Sequence, residues 1–339
     1  MHEYRKDPIV DRLVIVCSDR ADRRGAFLEP TAWDPTAACP FCEGHEEETP
    51  GEVLAFRSDD ETDHQAANAP GWRVRVVPNR YPAVRIDEPG AVRDEPLFQS
   101  SPAVGAHEVV IESARHVSSL SDLTPLEAEE VMAAYARRLR YWKADGHLRS
   151  GLVIKNVGTA AGASLEHAHS QIFVLPMVPI VLAAELSGAL SYQHQHGNCP
   201  FCAMIAAELA VGDRVVAQTE RHIALAPYAS RLPLETWVLA KRHASHYEEE
   251  PDEALADLAG LMRQVIAAID RTANRPAYNF LIHTTPFDIP SAKHYHWHIE
   301  IIPVISKTAG FEWASGYYVN PVPPELAARW LRENFGGMK

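Results

Sequence analysis

The sequence predicts an α+β fold built twice, each unit an antiparallel sheet with packed helices, arranged in tandem. Three observations carry this reading. The motif CPFC occurs at Cys39–Cys42 and again at Cys199–Cys202. After each copy the same order of segments follows: a strand pair, a strand ending in Arg-His, a helix, a strand, and a final H-x-H strand. The strands are joined mainly by short turns with one helix per half, which suits antiparallel pairing rather than crossovers.

The elements can be justified in order. "LVIVC" (13–17) is an apolar strand in which Cys17 reads as a small core residue. After the first CPFC, "WRVRVVPNRYPAV" supplies the strand pair and "HEVVIESARHVSSLSDL" the strand that ends in Arg115-His116. "TPLEAEEVMAAYARRLRYW" opens a helix with Thr124 as N-cap, Pro125 at the first helical position and Glu127 completing a capping box. "GLVIKNVG" and "HAHSQIF" close the first half. In the second half "DRVVAQTERHIALAPYA" and "ETWVLAKRHASHYEEE" are the matching strands. "PDEALADLAGLMRQVIAAI" is the matching helix, with Leu255, Leu258, Met262, Val265, Ile266 and Ile269 on one face. "YNFLIHTT" and "HWHIEII" complete the repeat. The division is expected near "LSYQHQHGN" (190–198), giving units 1–190 and 191–339.

Composition narrows the function classes. The chain has 339 residues, 46% of them apolar, enough for a large core. A net charge of −13 argues against nucleic acid or an anionic membrane as the main partner. The opening "MHEYRKDPIVDR" has no apolar segment of a secretory signal, and "IFVLPMVPIVLAA" is too short and too proline-broken to span a bilayer, so a cytoplasmic protein is expected.

C-x-x-C in such a chain points to metal or redox chemistry rather than a structural disulfide. Each half offers two cysteines, one histidine after "AR" or "KR", and the first histidine of H-x-H. These are Cys39, Cys42, His116 and His167, then Cys199, Cys202, His243 and His296. Two thiolates and two imidazoles suit tetrahedral zinc, and four protein ligands make the sites structural. His107 and His294 are rival ligands, but only His116 and His296 have counterparts in the other half.

With His167 on a metal, His169 and Gln171 remain on the same strand face, two residues apart. Upstream, "KNVGTAAGAS" places Asn156, Gly158, Gly162 and Ser164 in a loop whose backbone N–H groups can approach an anion closely. A free imidazole beside such a nest reads as a nucleophile toward phosphorus, with Gln171 donating to the phosphoryl oxygens. The competing reading is a hydrogen-bonded core histidine. In the second half Glu300 stands where Gln171 does, an acceptor-only carboxylate at neutral pH, so His298 is expected to be structural or to touch substrate without acting as the nucleophile.

"GASLEHAHSQ", "CPFC", "VVPNRYPAV", "ARHVSSL" and "GFEWASGYYVNPVPPE", in this order over nearly the whole chain, resemble the galactose-1-phosphate uridylyltransferase family of the histidine-triad superfamily. The two CPFC sites resemble the two-zinc variant that includes plant ADP-glucose phosphorylase. The resemblance implies a tandem pair of histidine-triad-like units and ping-pong transfer of a nucleotidyl group from a nucleotide sugar, through a histidine, to a hexose 1-phosphate. The expected activity is UDP-glucose:hexose-1-phosphate uridylyltransferase, the alternative an ADP-sugar phosphorylase. Carried onto this chain, His169 is the nucleophile, Gln171 contacts the α-phosphate, and Asn156, Gly162 and Ser164 hold phosphate. Arg20 and Arg23 meet the second phosphate. Asn79, followed by Arg80, lies in the segment at the nucleoside. Gly316 and Tyr317 reach across a homodimer to the neighbour's sugar. The resemblance also allows iron rather than zinc in the second metal site.

Overall fold

The structure, a computed structural model, describes residues 2–6, 13–17, 38–57 and 67–336, with the backbone alone for most of 13–17. Arg20 and Arg23 lie outside the described residues. The first half contributes β1 (His2–Lys6), β2 (Leu13–Cys17), β3 (Leu54–Arg57), β4 (Trp72–Pro78), β5 (Arg93–Asp94), β6 (Gln99–Pro102) and β7 (Ala106–Ile111). Helix α1 (Pro125–Asp145) then leads into β8 (Ser150–Val157) and β9 (His169–Leu175). Helices α2 (Ile180–His196) and α3 (Pro200–Val211) precede β10 (Val215–Gln218), β11 (His222–Leu225) and β12 (Thr236–Ala240). Helix α4 (Asp252–Ala273), β13 (Tyr278–His283), β14 (His298–Pro303), α5 (Gly310–Ser315) and α6 (Pro324–Glu333) complete the chain.

One antiparallel sheet runs β10-β11-β12-β14-β13-β8-β9-β7-β4-β3. Its halves have the same internal order: β3-β4-β7-β9-β8 answers β10-β11-β12-β14-β13. They join where β8 pairs with β13, with Asn156 opposite Asn279. The α+β unit is therefore doubled, as expected, but both units share one sheet. Helix α2 carries the chain through residue 190. A small second sheet, β2-β1-β6-β5, was not foreseen. Of "WRVRVVPNRYPAV" only Trp72–Pro78 is strand, and its hairpin partner is β3 rather than the residues that follow. Pro78 and Pro82 have no N–H to give a ladder, so the chain leaves the sheet there.

Helices α1 and α4 pack against each other and against one face of the sheet. The predicted α4 stripe, Leu255, Leu258, Met262, Val265, Ile266 and Ile269, is buried throughout. From α1, Val131, Met132, Tyr135 and Leu139 join the same core. The α1 start is capped as its sequence predicts: the Glu127 N–H donates to the Thr124 hydroxyl at 3.2 Å, and the Thr124 N–H to Glu127 Oε2 at 2.7 Å. On the sheet's other face, α2 and α3 cover the second half through Leu182, Phe201 and Ile205 against Ile223, Leu225 and Leu239. In β9 the period of two sends Ile172 and Val174 into the helical core. His169 and Gln171 fall on the opposite side.

Candidate active site and metal centres

Both CPFC motifs bring their cysteines to two histidines. In the first half the four ligand atoms of Cys39, Cys42, His116 and His167 lie within 4.8 Å of one another. Cys39 Sγ is 3.5 Å from His167 Nδ1, and Cys42 Sγ is 3.3 Å from His116 Nδ1 and 3.6 Å from His167 Nδ1. A tetrahedral ion with ordinary Zn–S and Zn–N bonds has S···N edges of about 3.5 Å, so the donor set has the size of that coordination sphere. In the second half Cys199, Cys202, His243 and His296 do the same, with Cys202 Sγ 3.4 Å from His243 Nδ1 and 3.7 Å from His296 Nδ1.

The surroundings suit metal ligation as well. His167 Nε2–H donates to the Ser113 carbonyl at 2.8 Å, and His243 Nε2–H to the Ala292 carbonyl at 3.2 Å, which leaves each Nδ1 lone pair facing the cysteines. Burial, then the charge of Cys39, pushes the Cys42 thiol up to about 11, while burial brings His167 down to about 4. A Cys42 thiol that resists ionisation on its own, beside a His167 imidazole held neutral, belongs to a set that a divalent cation would draw into thiolate coordination. The loop conformations differ: the first CPFC is a free-standing turn, whereas Cys199 sits at the N-cap of α3 with Cys202 in its first turn.

Next to the first cluster lies the second histidine of H-x-H. His169 is 7% exposed, and its Nδ1–H donates to the His167 carbonyl at 2.7 Å. The proton being on Nδ1, the lone pair belongs to Nε2. Burial holds the imidazole below its usual pKa against the pull of that hydrogen bond, which favours its neutral form. Gln171 follows on the same face, half-buried.

The loop before β9 turns through Gly158 (φ 79°) and Gly162 (φ 86°), with a single 3-10 turn at Thr159–Ala161 between them. A Cβ at Gly158 would lie 2.9 Å from Ala277 Cβ, so close packing of the two halves also requires that glycine. Asn279, from the other half, donates to both Asn156 Oδ1 (2.8 Å) and the Ala161 carbonyl (2.9 Å), bracing the loop. Gly162 and Ser164 are exposed at the rim.

Asn79 joins this group through His107, and the Arg80 guanidinium, exposed, donates to the Glu48 carbonyl at 3.0 Å. Gly316 ends α5 in the left-handed conformation and Tyr317 is 73% exposed. Among the described residues no hydrogen bond or ring contact joins either one to the His169 group.

The second H-x-H strand is built differently. His298 is fully buried, stacked on Trp237 at 4.9 Å and on Phe201 at 5.2 Å. Arg231 holds Glu300 at 2.6 Å, which is what keeps that carboxylate inside the protein. His298 Nε2 meets no hydrogen-bond partner among the described residues, and burial followed by the nearby His283 lowers its pKa to about 4.

Two features had no clear signal in the sequence. Glu185, His283, His298 and Glu300 bring their ligand atoms within 4.8 Å of one another, because α2 folds back over β13 and β14. Glu185 there accepts from His283 at 3.0 Å and from Tyr295 at 2.7 Å. His107, weighed only as a rival to His116, belongs to neither cysteine cluster: it stacks on Phe173 at 3.8 Å and bonds Gln171. Its position on β7, directly opposite Phe173 of β9, is a pairing that no local pattern reveals.

Comparison with known proteins gives a consistent picture. Residues 3–179 match the family model for the galactose-1-phosphate uridyl transferase N-terminal domain, and residues 185–321 match its C-terminal domain. An ADP-glucose phosphorylase of Arabidopsis thaliana is 33% identical over 98% of this chain and 92% of its own length. A galactose-1-phosphate uridylyltransferase of Thermotoga maritima is 26% identical over 98% of both. A solved uridylyltransferase superposes with a TM-score of 0.81 at 30% identity, covering 98% of both chains. The crystal structure of the Arabidopsis thaliana ADP-glucose phosphorylase with bound ADP-glucose superposes with a TM-score of 0.76 at 33% identity, covering 98% of this chain and 99% of that one.

Proposed function

The chain belongs to the galactose-1-phosphate uridyl transferase family, and on that premise we propose that it is a nucleotidyltransferase working through His169, with UDP-glucose and a hexose 1-phosphate as its substrates. The observation that carries this reading is the His169 Nδ1–H bond to the His167 carbonyl, which leaves the Nε2 lone pair free on the strand face that His169 shares with Gln171.

In the first half-reaction, Nε2 attacks the α-phosphorus in line. A P–N bond forms as the bond from phosphorus to the hexose 1-phosphate oxygen breaks, and hexose 1-phosphate leaves. Gln171 and Ser164 donate to the phosphoryl oxygens as charge shifts, with Asn156 and Gly162 shaping the anion site. In the second half-reaction, a phosphate oxygen of another hexose 1-phosphate attacks the same phosphorus and frees the imidazole. Asn79 and Arg80 line the nucleoside end. Arg20 and Arg23 are assigned to the second phosphate on the family resemblance.

Two zinc ions are held by the Cys2His2 sets described above, the second set also accepting iron. They supply cross-links and no chemistry, since four protein ligands leave no open position. The first ties the CPFC turn to the residue two before the nucleophile. Exposed Trp313 and Tyr317, 78% and 73% accessible, support a homodimer in which Gly316 and Tyr317 complete the neighbouring site.

A second reading, adenylyl transfer by an ADP-sugar phosphorylase, is favoured by the 33% identity to the Arabidopsis thaliana enzyme. One assay separates the two: exchange of labelled glucose 1-phosphate into UDP-glucose or into ADP-glucose. Incubation with the nucleotide sugar alone, followed by mapping of the adduct, is expected to place one nucleotidyl group per chain on His169. A label on His298, or full exchange by His169→Ala, overturns the assignment.

A further inference from the structure

We propose that His107 is a positioning residue for this reaction: it fixes the Gln171 side-chain amide with its NH2 group toward the phosphoryl oxygens. The inference rests on the functional reading above and concerns a residue to which that reading gives no part.

The argument begins at the backbone. The Ala83 N–H points at His107 Nδ1 at 3.1 Å, and a backbone N–H can only donate. His107 Nδ1 must therefore be the accepting nitrogen, and the ring's proton sits on Nε2. Among the described residues, two side-chain atoms lie within hydrogen-bond distance of that Nε2. Asn79 Nδ2, at 3.0 Å, is itself a donor, and Asn79 Oδ1 is held elsewhere by the Tyr81 N–H at 2.8 Å. Of the two, Gln171 Oε1, at 2.8 Å, is the acceptor.

The Nε2–H therefore goes to Gln171 and claims its oxygen. With Oε1 taken, Gln171 offers its two amide protons to whatever approaches His169. The reverse orientation would aim a carbonyl oxygen at an anion and set a second NH2, beside that of Asn79, against the same N–H. The ring itself is held: His107 is 5% exposed and stacked on Phe173 with an interplanar angle of 27°.

The test has two parts. The tautomer is read by 15N NMR of the full-length, metal-loaded protein without substrate, where the proton is expected on Nε2 of His107. A proton on Nδ1, or on both nitrogens, overturns the proposal.

Kinetics supply the second part. His107→Phe keeps the stack and removes the donor, and is expected to lower kcat of exchange by roughly tenfold or more, as for loss of an oriented oxyanion donor. His107→Gln, whose amide N–H can reach the place of Nε2–H, is expected to recover most of the loss. In a Gln171→Ala background, His107→Phe is expected to add less than about twofold, because it acts only through the amide. Full activity in His107→Phe, or losses that simply multiply in the double variant, overturns the proposal. Metal content and melting temperature show whether each variant is folded. If the wild type formed no nucleotidyl-histidine, the functional reading itself would fail, and the tautomer measurement would still decide how the amide is held.

Discussion

Beneath His169, on the helical side of the sheet, lies a fully buried ion pair. Lys155 Nζ donates to Glu112 Oε2 at 2.5 Å and to the main-chain carbonyl of His169 at 3.3 Å. Tyr135 donates to the other Glu112 oxygen at 3.1 Å and sits 2.8 Å from the Ser170 hydroxyl. Removing one member of such a pair strands the other charge in the core. Lys155→Met is therefore expected to destabilise the fold by about 3–5 kcal/mol in urea unfolding, with much of that recovered in Glu112→Leu/Lys155→Met. A loss below about 1 kcal/mol for the single change would mean that water reaches Glu112. The sequence showed Lys155 only as one polar residue in "GLVIKNVG"; that it anchors the strand of His169 depends on the pairing of β8 with β9.

At the scale of the element, the α1 capping box was legible in "TPLE" because all of its partners are within four residues. What the sequence did not disclose is that Arg115 and Ser113, from the segment that follows β7, also bind Glu127, at 2.6 and 2.7 Å. Burial opposes the Glu127 carboxylate, but these bonds and the Thr124 N–H outweigh it and hold its pKa below the ordinary value. A depressed carboxylate contributes stability that is present above its unfolded pKa and lost as pH falls through the folded one. Thr124→Ala is expected to cost about 1 kcal/mol at pH 7. Glu127→Gln is expected to cost stability at pH 7 and progressively less below about pH 4, as the wild-type carboxylate takes up its proton. Denaturant midpoints across that range check both, and a Glu127→Gln loss that is independent of pH would count against the assignment.

For the whole molecule, the shared sheet makes the halves interdependent. Asn279 of one half braces the glycine loop of the other, and α1 packs on α4. Each Cys2His2 set should bind its own ion. Cys39→Ser and Cys199→Ser are each expected to lose about one metal per chain by elemental analysis and to melt earlier, since binding is coupled to folding. Retention of both ions in either variant would contradict the ligand sets.

Assembly can be tested by complementation. Sedimentation is expected to show a dimer. Mixing His169→Ala with a Tyr317→Ala/Trp313→Ala variant, under conditions that exchange subunits, is expected to restore roughly a quarter of wild-type activity, because each mixed two-fold dimer holds one intact site. No recovery, with subunit exchange demonstrated, would remove Tyr317 from the partner's site.

The sequence by itself determined the doubled α+β unit, the two helices with their stripes, the grouping of both Cys2His2 sets and the H-x-H-x-Q strand. All of these depend on short-range periodicity or on a motif repeated in the same order, and such signals survive without coordinates. Tertiary structure alone decided how the two units meet at β8 and β13, and why His169 and His298 differ beyond the Gln171-to-Glu300 exchange. It also decided what stands behind each polar group: His107 behind Gln171, Lys155 beneath His169, Trp237 and Phe201 around His298. The physical reason is the reach of the interactions. A capping box or a strand period is set by neighbours a few residues away, whereas a hydrogen-bond partner 64 positions distant, as Gln171 is from His107, exists only once the sheet has been ordered.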